Sequence, residues 1–168
     1  MKKYIILIFT FLVYGNIFAQ DWSDKIVKVD SFNLPKSELY DKVKLAIYDV
    51  FVSGEESIQL DDKEKGVLIG KGSFLTPDIR NGFGTVLGSR SIFYKYTIEI
   101  KDNKYRITIS DHTHEIIGRF DGQRPLHPSG QIKLTDKLWN KYKSECNENA
   151  EKVIQSLIAA INKPASDF

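Results

Sequence analysis

The sequence holds one cysteine in 168 residues, three histidines and almost no surplus of either charge, with 24 Lys+Arg against 22 Asp+Glu. A single thiol cannot close an intramolecular disulfide, so a stapled scaffold is excluded and a packed core must hold the fold. Five prolines and eleven glycines without any repeat exclude a collagen-like or low-complexity chain, and 42% apolar with 12% aromatic residues exclude a disordered one. No apolar run reaches the roughly 20 residues that a membrane-crossing helix needs. The longest, Tyr4 to Tyr14, has eleven.

That run follows Lys2 and Lys3 and leads into Ile17-Phe18-Ala19, the pattern of a cleavable signal peptide over residues 1–19. Cleavage after Ala19 leaves residues 20–168 as one domain of 149 residues with 22 basic and 22 acidic side chains, a net charge of zero. No cysteine follows the leader to carry a lipid. The expectation is a soluble periplasmic or secreted protein, not a lipoprotein, with no stable membrane anchor after cleavage.

Along the mature chain, Ile26, Val27 and Val29 form a short β-favouring run that Phe32-Asn-Leu-Pro35 breaks. Ser37 stands ready to cap a helix over residues 38–52 whose apolar set is Leu39, Val43, Ala46, Ile47, Val50 and Phe51, with Gly54 supplying a positive φ beyond its end. Ser57 to Asp61 and Val67 to Leu75 read as a hairpin. A five-residue loop turns Leu68, Gly70, Gly72 and Phe74 to the core, a four-residue loop turns Val67, Ile69 and Lys71 there, and the first is preferred because it buries no lysine. Pro77 to Arg90, with three glycines, reads as a flexible connection.

Ile92, Tyr94, Tyr96, Ile98 and Ile100 then alternate through one strand, and Tyr105, Ile107 and Ile109 alternate back. Asp102-Asn103 suits the positive-φ positions of a two-residue turn, which sets the register: Ile100 faces Tyr105, Ile98 faces Ile107 and Tyr96 faces Ile109 on an apolar side. On the polar side Glu99 meets Arg106, Thr97 meets Thr108, Lys95 meets Ser110 and Phe93 meets His112. Asp121 to Gln131 reads as a surface loop. Thr135 opens a long helix to about Asn162, with a stripe of Leu138, Tyr142, Cys146, Ala150, Val153, Leu157 and Ile161 flanked by Trp139, Ile154 and Ile158. Cys146 falls on that stripe and reads as a buried small hydrophobe. The order β-α-β-β-β-β-α with an amphipathic sheet predicts a two-layer α+β domain, a curved antiparallel sheet with two helices on one face.

Three segments carry a family resemblance: Leu34-Pro-Lys-Ser-Glu-Leu-Tyr40, Ile58-Gln-Leu-Asp-Asp-Lys-Glu-Lys-Gly-Val-Leu-Ile-Gly-Lys-Gly-Ser-Phe74, and Tyr96-Thr-Ile-Glu-Ile-Lys-Asp-Asn-Lys-Tyr-Arg-Ile-Thr-Ile-Ser-Asp111. The chain resembles an uncharacterised family of exported bacterial domains with a fold like the TATA-box-binding protein. The motifs span Ile26 to Asp111, and the final helix matches by architecture. Asp102-Asn103 replaces the more typical Asp-Gly turn, and the Pro77 to Arg90 connection is longer than the family pattern. The resemblance implies a fold and transfers no catalytic residue.

Nucleic acid is not an expected partner despite that fold name. A mature chain without net positive charge is poorly suited to neutralising phosphates, and Phe93 alone would be too little for wedging a minor groove. His112 and His114, two apart on one predicted strand face, with His127 in a later loop, have spacing that permits a metal without specifying one. Two histidines on a solvated strand edge are more often simply exposed than metal-bound, so no metal and no cofactor is assigned. Asp111 and Glu115 lack a nucleophile to serve. Gly70-Lys71-Gly72-Ser73 lies inside a strand and lacks the helix a phosphate loop needs, so close packing over the glycines explains it.

The remaining candidate is the polar sheet face, where Phe93, Lys95, Thr97, Thr108, Ser110 and His112 form a contiguous patch. The expectation is a non-catalytic binding or interaction domain of the cell envelope, taking an unidentified envelope protein or small ligand through this face and the Pro77 to Arg90 connection. Two alternatives are carried. One is a carrier of a hydrophobic small molecule between the sheet and the C-terminal helix, motivated by Tyr94, Tyr96 and Tyr105 beneath Trp139 and Tyr142; the other is a metal-dependent hydrolase built on the three histidines.

Overall fold

A computed structural model of the chain describes residues 25–80, 86–118, 123–125 and 136–164. The elements are β1 (Ile26–Ser31), α1 (Lys36–Val50), α2 (Gly54–Ser57), β2 (Ile58–Asp62), β3 (Val67–Arg80), β4 (Val86–Lys101), β5 (Lys104–Gly118), β6 (Gln123–Pro125) and α3 (Asp136–Asn162). The antiparallel sheet runs β1-β5-β4-β3-β2, with β6 paired to β5 beyond the end of β1. The predicted α+β order is therefore present, with a short α2 and β6 added to it. β1 and β2 occupy opposite edges, so α1 crosses the sheet between them and the β2-β3-β4-β5 meander returns to β1.

One sheet face carries the core. Leu68, Tyr94, Tyr96, Ile98, Ile100, Tyr105, Ile107 and Ile109 are buried against Leu39, Val43, Ala46 and Ile47 of α1 and Ala150, Ile154, Leu157 and Ile161 of α3. Ile154 is fully buried and Val153 only partly, a small rotation of the predicted stripe. The helices are tied at their ends, where Lys163 Nζ donates to Asp49 Oδ2 at 2.9 Å and Lys42 Nζ to the Lys163 carbonyl at 2.8 Å. Cys146 is buried, as its stripe position predicts, in a second apolar cluster with Ile92 and Tyr142.

The start of α1 departs from the local reading. Ser37 lies inside the helix, Pro35 occupies the cap position and makes no side-chain cap bond. The carboxylate of Asp102, in the β4–β5 turn, takes over: its Oδ1 accepts the Lys36 amide at 2.8 Å. That turn docks on the β1–α1 connection through Phe32 N–H to Asn103 O at 2.9 Å and Asn103 N–H to Leu34 O at 3.0 Å. It is the expected two-residue turn, but Asn103 alone takes positive φ, at 62°. An acceptor 66 residues away in sequence thus does what a neighbouring serine normally does for the unpaired amides of a first turn. Asp102→Ala is expected to lower stability by about 1 kcal/mol while Asp102→Asn loses much less, checked by urea unfolding midpoints.

Gly54 is not a positive-φ stop. It opens α2, and a Cβ there would stand 2.5 Å from the Tyr48 Cα, so close approach is what requires glycine. The β2–β3 loop has four residues, with Asp62 opposite Val67, yet Leu68 and Gly70 face the core. A register shift between Ile58 and Leu60 reconciles the two, because one extra residue on β2 reverses its alternation. Leu60 is consequently 44% exposed on the opposite face, not aligned with Ile58.

That reversal brings Asp61 to the Tyr40 hydroxyl and the Lys44 ammonium, both of which donate to its carboxylate. Bonding from Lys44 and then from Tyr40 holds the Asp61 carboxyl below its ordinary range, and burial followed by Asp61 pushes the Tyr40 hydroxyl up. A carboxyl whose pKa is lower folded than unfolded stabilises the fold above its unfolded pKa and loses that contribution as pH falls through its folded one. Asp61→Asn is therefore expected to flatten the acid limb of the stability profile below about pH 5, measured by denaturant titration at each pH.

The Pro77 to Arg90 connection is mostly strand. β3 continues through Arg80 and β4 starts at Val86, with Thr76 opposite Arg90, Ile79 opposite Gly88 and Arg80 opposite Val86. Pro77 sits at the register shift between Thr76 and Ile79, the kind of irregularity that tolerates a residue without an N–H. Likewise Gln123–Pro125, placed in a loop by its prolines and glycines, pairs with Thr113 to Glu115.

Candidate functional site

Among the described residues no helix lies over the other face of the sheet. Its rows follow from the ladder. Thr97 faces Thr108, with Ile69 on β3 and Val27 on β1 completing the row. Lys95 faces Ser110 on one side and Lys71 on the other. Glu99 faces Arg106, whose Nε donates to Glu99 Oε2 at 2.7 Å. Val27 and Leu60 are 54% and 44% exposed, so a row of aliphatic and threonine side chains crosses the sheet between two charged rows. At one end of the face, Val29, Glu99, Lys101, Lys104 and Arg106 line a depression of about 240 Å³.

The structure brings Phe93, Lys95, Thr97 and Thr108 together on this face as the alternation predicts, all of them partly exposed. Ser110 shares the face but is only 6% exposed between Lys95 and the next residue, Asp111, so it is a poor contact for a partner. His112 does not belong to the face. Lys95 pairs with Ser110 but Phe93 pairs with Thr113, leaving Asp111 and His112 together opposite Tyr94. Asp111 has φ of 55°, a conformation aspartate tolerates better than most residues, and this bulge reverses the alternation. The His112 imidazole is 4% exposed on the helix-covered side, its centroid 6.3 Å from the Tyr94 ring. The predicted Phe93–His112 pair is thus replaced by Phe93–Thr113.

The bulge also gives Lys95 a partner, since Asp111 Oδ2 lies 3.7 Å from its Nζ. Lys71 adds a second cation directly across the ladder. Lys71, Ile69, Val27 and Leu60 were absent from the patch read on β4 and β5 alone. The preferred hairpin register, by refusing to bury Lys71, already puts it and Ile69 outside.

The other readings meet the core. Tyr96 and Tyr105 are fully buried and Tyr94 nearly so; the Tyr94 hydroxyl is pushed up to about 12 by burial. Gly70 stands opposite Tyr96 and Gly72 opposite Tyr94, and each ring lies so close over its glycine that a Cβ could not be added. These rings pack as core. No group of three or more His, Cys, Asp and Glu side chains is placed to hold a metal among the described residues. The side chains of His114, Glu115, Leu138 and Trp139 lie outside the described residues, as do His127, Thr135 and residues 1–19.

Residues 25–115 match a family described as a domain of unknown function (DUF4468) with TBP-like fold. Among solved structures the chain is similar to a DUF4468 family protein from Bacteroides ovatus at 12% identity and TM-score 0.65, covering 88% of this chain and 91% of that one. It is also similar to a TBP-like protein from Parabacteroides distasonis at 16% identity and TM-score 0.60, covering 84% and 94%. No curated protein sequence matches it.

Proposed function

The chain belongs to this DUF4468 family, and from that premise we propose that it is an exported, non-catalytic binding domain of the cell envelope that takes its partner on the helix-free sheet face. The observation carrying the reading is the row Val27, Thr108, Thr97, Ile69 and Leu60, which leaves aliphatic surface exposed beside Lys71 and Lys95. An apolar strip flanked by two cations suits a polypeptide partner that presents apolar side chains next to a carboxylate. Phe93 sits one row beyond the lysines, opposite Ser73, and extends the contact area. The leader of residues 1–19 supports export, and no helix among the described residues is long and apolar enough to cross a membrane.

The test is site-specific photocrosslinking in the producing cell, from position 97 on the face and from the exposed Lys152 on α3 as control. A discrete adduct from position 97, absent from position 152 and lost in Lys71→Glu/Lys95→Glu, is the expected result. Identical adducts from both positions, or none, overturn the reading. The mass of the crosslinkable species reads export at the same time, because a chain starting at Gln20 has lost its leader.

A further inference from the structure

We infer that β1 is a homotypic edge that pairs with β1 of a second copy, antiparallel about a two-fold axis through Val29. The two sheet edges are not alike. β2 has five residues, a register shift near its start and the Asp61 and Asp62 carboxylates, features that blunt an edge. β1 pairs with β5 in unbroken register over all six of its residues, and among the described residues no strand pairs with its outer side.

The direction of its backbone groups follows from the ladder. Phe32 donates its N–H to Asn103 on the β5 side, so the even residues of β1 point inward to β5 and Val27, Val29 and Ser31 point outward. Ser31 N–H is held by Oδ1 of the preceding Asp30 at 2.8 Å, which leaves the backbone groups of Val27 and Val29 and the Ser31 carbonyl facing outward. Their side chains are 54% and 58% exposed on the helix-free face.

Two registers would let a second β1 bond these groups while keeping like faces together. Centring on Lys28 sets Lys28 against its own copy, two ammonium groups directly opposed. Centring on Val29 sets Val29 on Val29, Val27 on Ser31, and Lys28 on Asp30 twice over. Opposite charges spaced symmetrically about a valine make the strand complementary to itself, which is what a two-fold interface requires. In this register Ser31 N–H passes from Asp30 to the Val27 carbonyl of the other copy, and the released carboxylate meets the incoming Lys28. The pairing would join two helix-free faces into one continuous surface, and it stands independently of what binds there.

Sedimentation of residues 20–168 up to about 1 mM detects association as weak as about 4 kcal/mol, and the expected result is a monomer–dimer equilibrium. Val29→Pro removes an N–H that β5 does not use and should abolish the dimer with a cooperative melt retained. Val29→Cys gives a second reading, because paired residues exchanging both bonds lie about 5.5 Å apart, within disulfide reach. It should crosslink on mild oxidation, whereas Lys28→Cys, a diagonal neighbour of its copy at about 7–8 Å, should not. Monomer throughout, or crosslinking from position 28 in place of 29, overturns the inference.

Discussion

Replacing Tyr96 by alanine is expected to cost about 3–5 kcal/mol, enough to unfold much of the population of an ordinary domain at 37 °C. The side chain is fully buried at the centre of the sheet and stacks on Phe51 with centroids 5.0 Å apart. Its hydroxyl exchanges a hydrogen bond of 2.9 Å with Ser57 Oγ, which in turn donates to the Gly54 carbonyl at 2.8 Å. Truncation would open a cavity between β3, β4 and the α1–α2 corner and strand a polar group there. Tyr96→Phe keeps the volume and loses only the bond, so about 1 kcal/mol is expected. Urea midpoints for Tyr96→Phe, Ser57→Ala and the double variant check this: a coupling near zero would mean that the bond contributes nothing.

Adding a single methyl group opposite that ring is expected to be nearly as damaging. A Cβ on Gly70 would lie under 3.0 Å from the Tyr96 hydroxyl and from the Ser57 carbonyl, which is backbone and cannot swing away. Gly70→Ala should therefore cost about 3 kcal/mol through forced backbone displacement. At Gly72 the three atoms nearest an added Cβ all belong to the Tyr94 side chain, so the cost of Gly72→Ala should be smaller and largely recovered by Tyr94→Leu. No ring substitution at Tyr96 should recover Gly70→Ala. Thermal melts of the two pairs decide the matter, and equal recovery in both would show that the Ser57 carbonyl is not the obstacle.

The long hairpin shows how far local rules reach. Spacing of two over Tyr94 to Ile100 and Tyr105 to Ile109, together with a turn of known length, determines which residues oppose one another, so Lys95, Thr97 and Thr108 were legible as neighbours on one face. That arithmetic holds only while each residue on one strand opposes one on the other. At Asp111 it fails, and nothing in Ser110-Asp-His112 marks the extra residue, since aspartate at positive φ is tolerated without being signalled. His112 consequently exchanges a solvated face for the core. The same failure at Gln59 exposes Leu60 and delivers Asp61 to Tyr40 and Lys44.

The sequence by itself determined the fold class, the order of the main elements, the buried positions Tyr142, Cys146, Ala150, Leu157 and Ile161 of α3 and the register of the β4–β5 turn, because these depend on periodicities of 3.6 and 2 and on contacts between near neighbours. Only the tertiary structure decided which face receives His112, that Asp102 caps α1 from 66 residues away, that Gly70 and Gly72 lie beneath tyrosine rings, and that β1 pairs on one side only among the described residues. Each of these is a relation between strands or between a strand and a helix. It comes into existence when the ladder closes, and no local pattern encodes it.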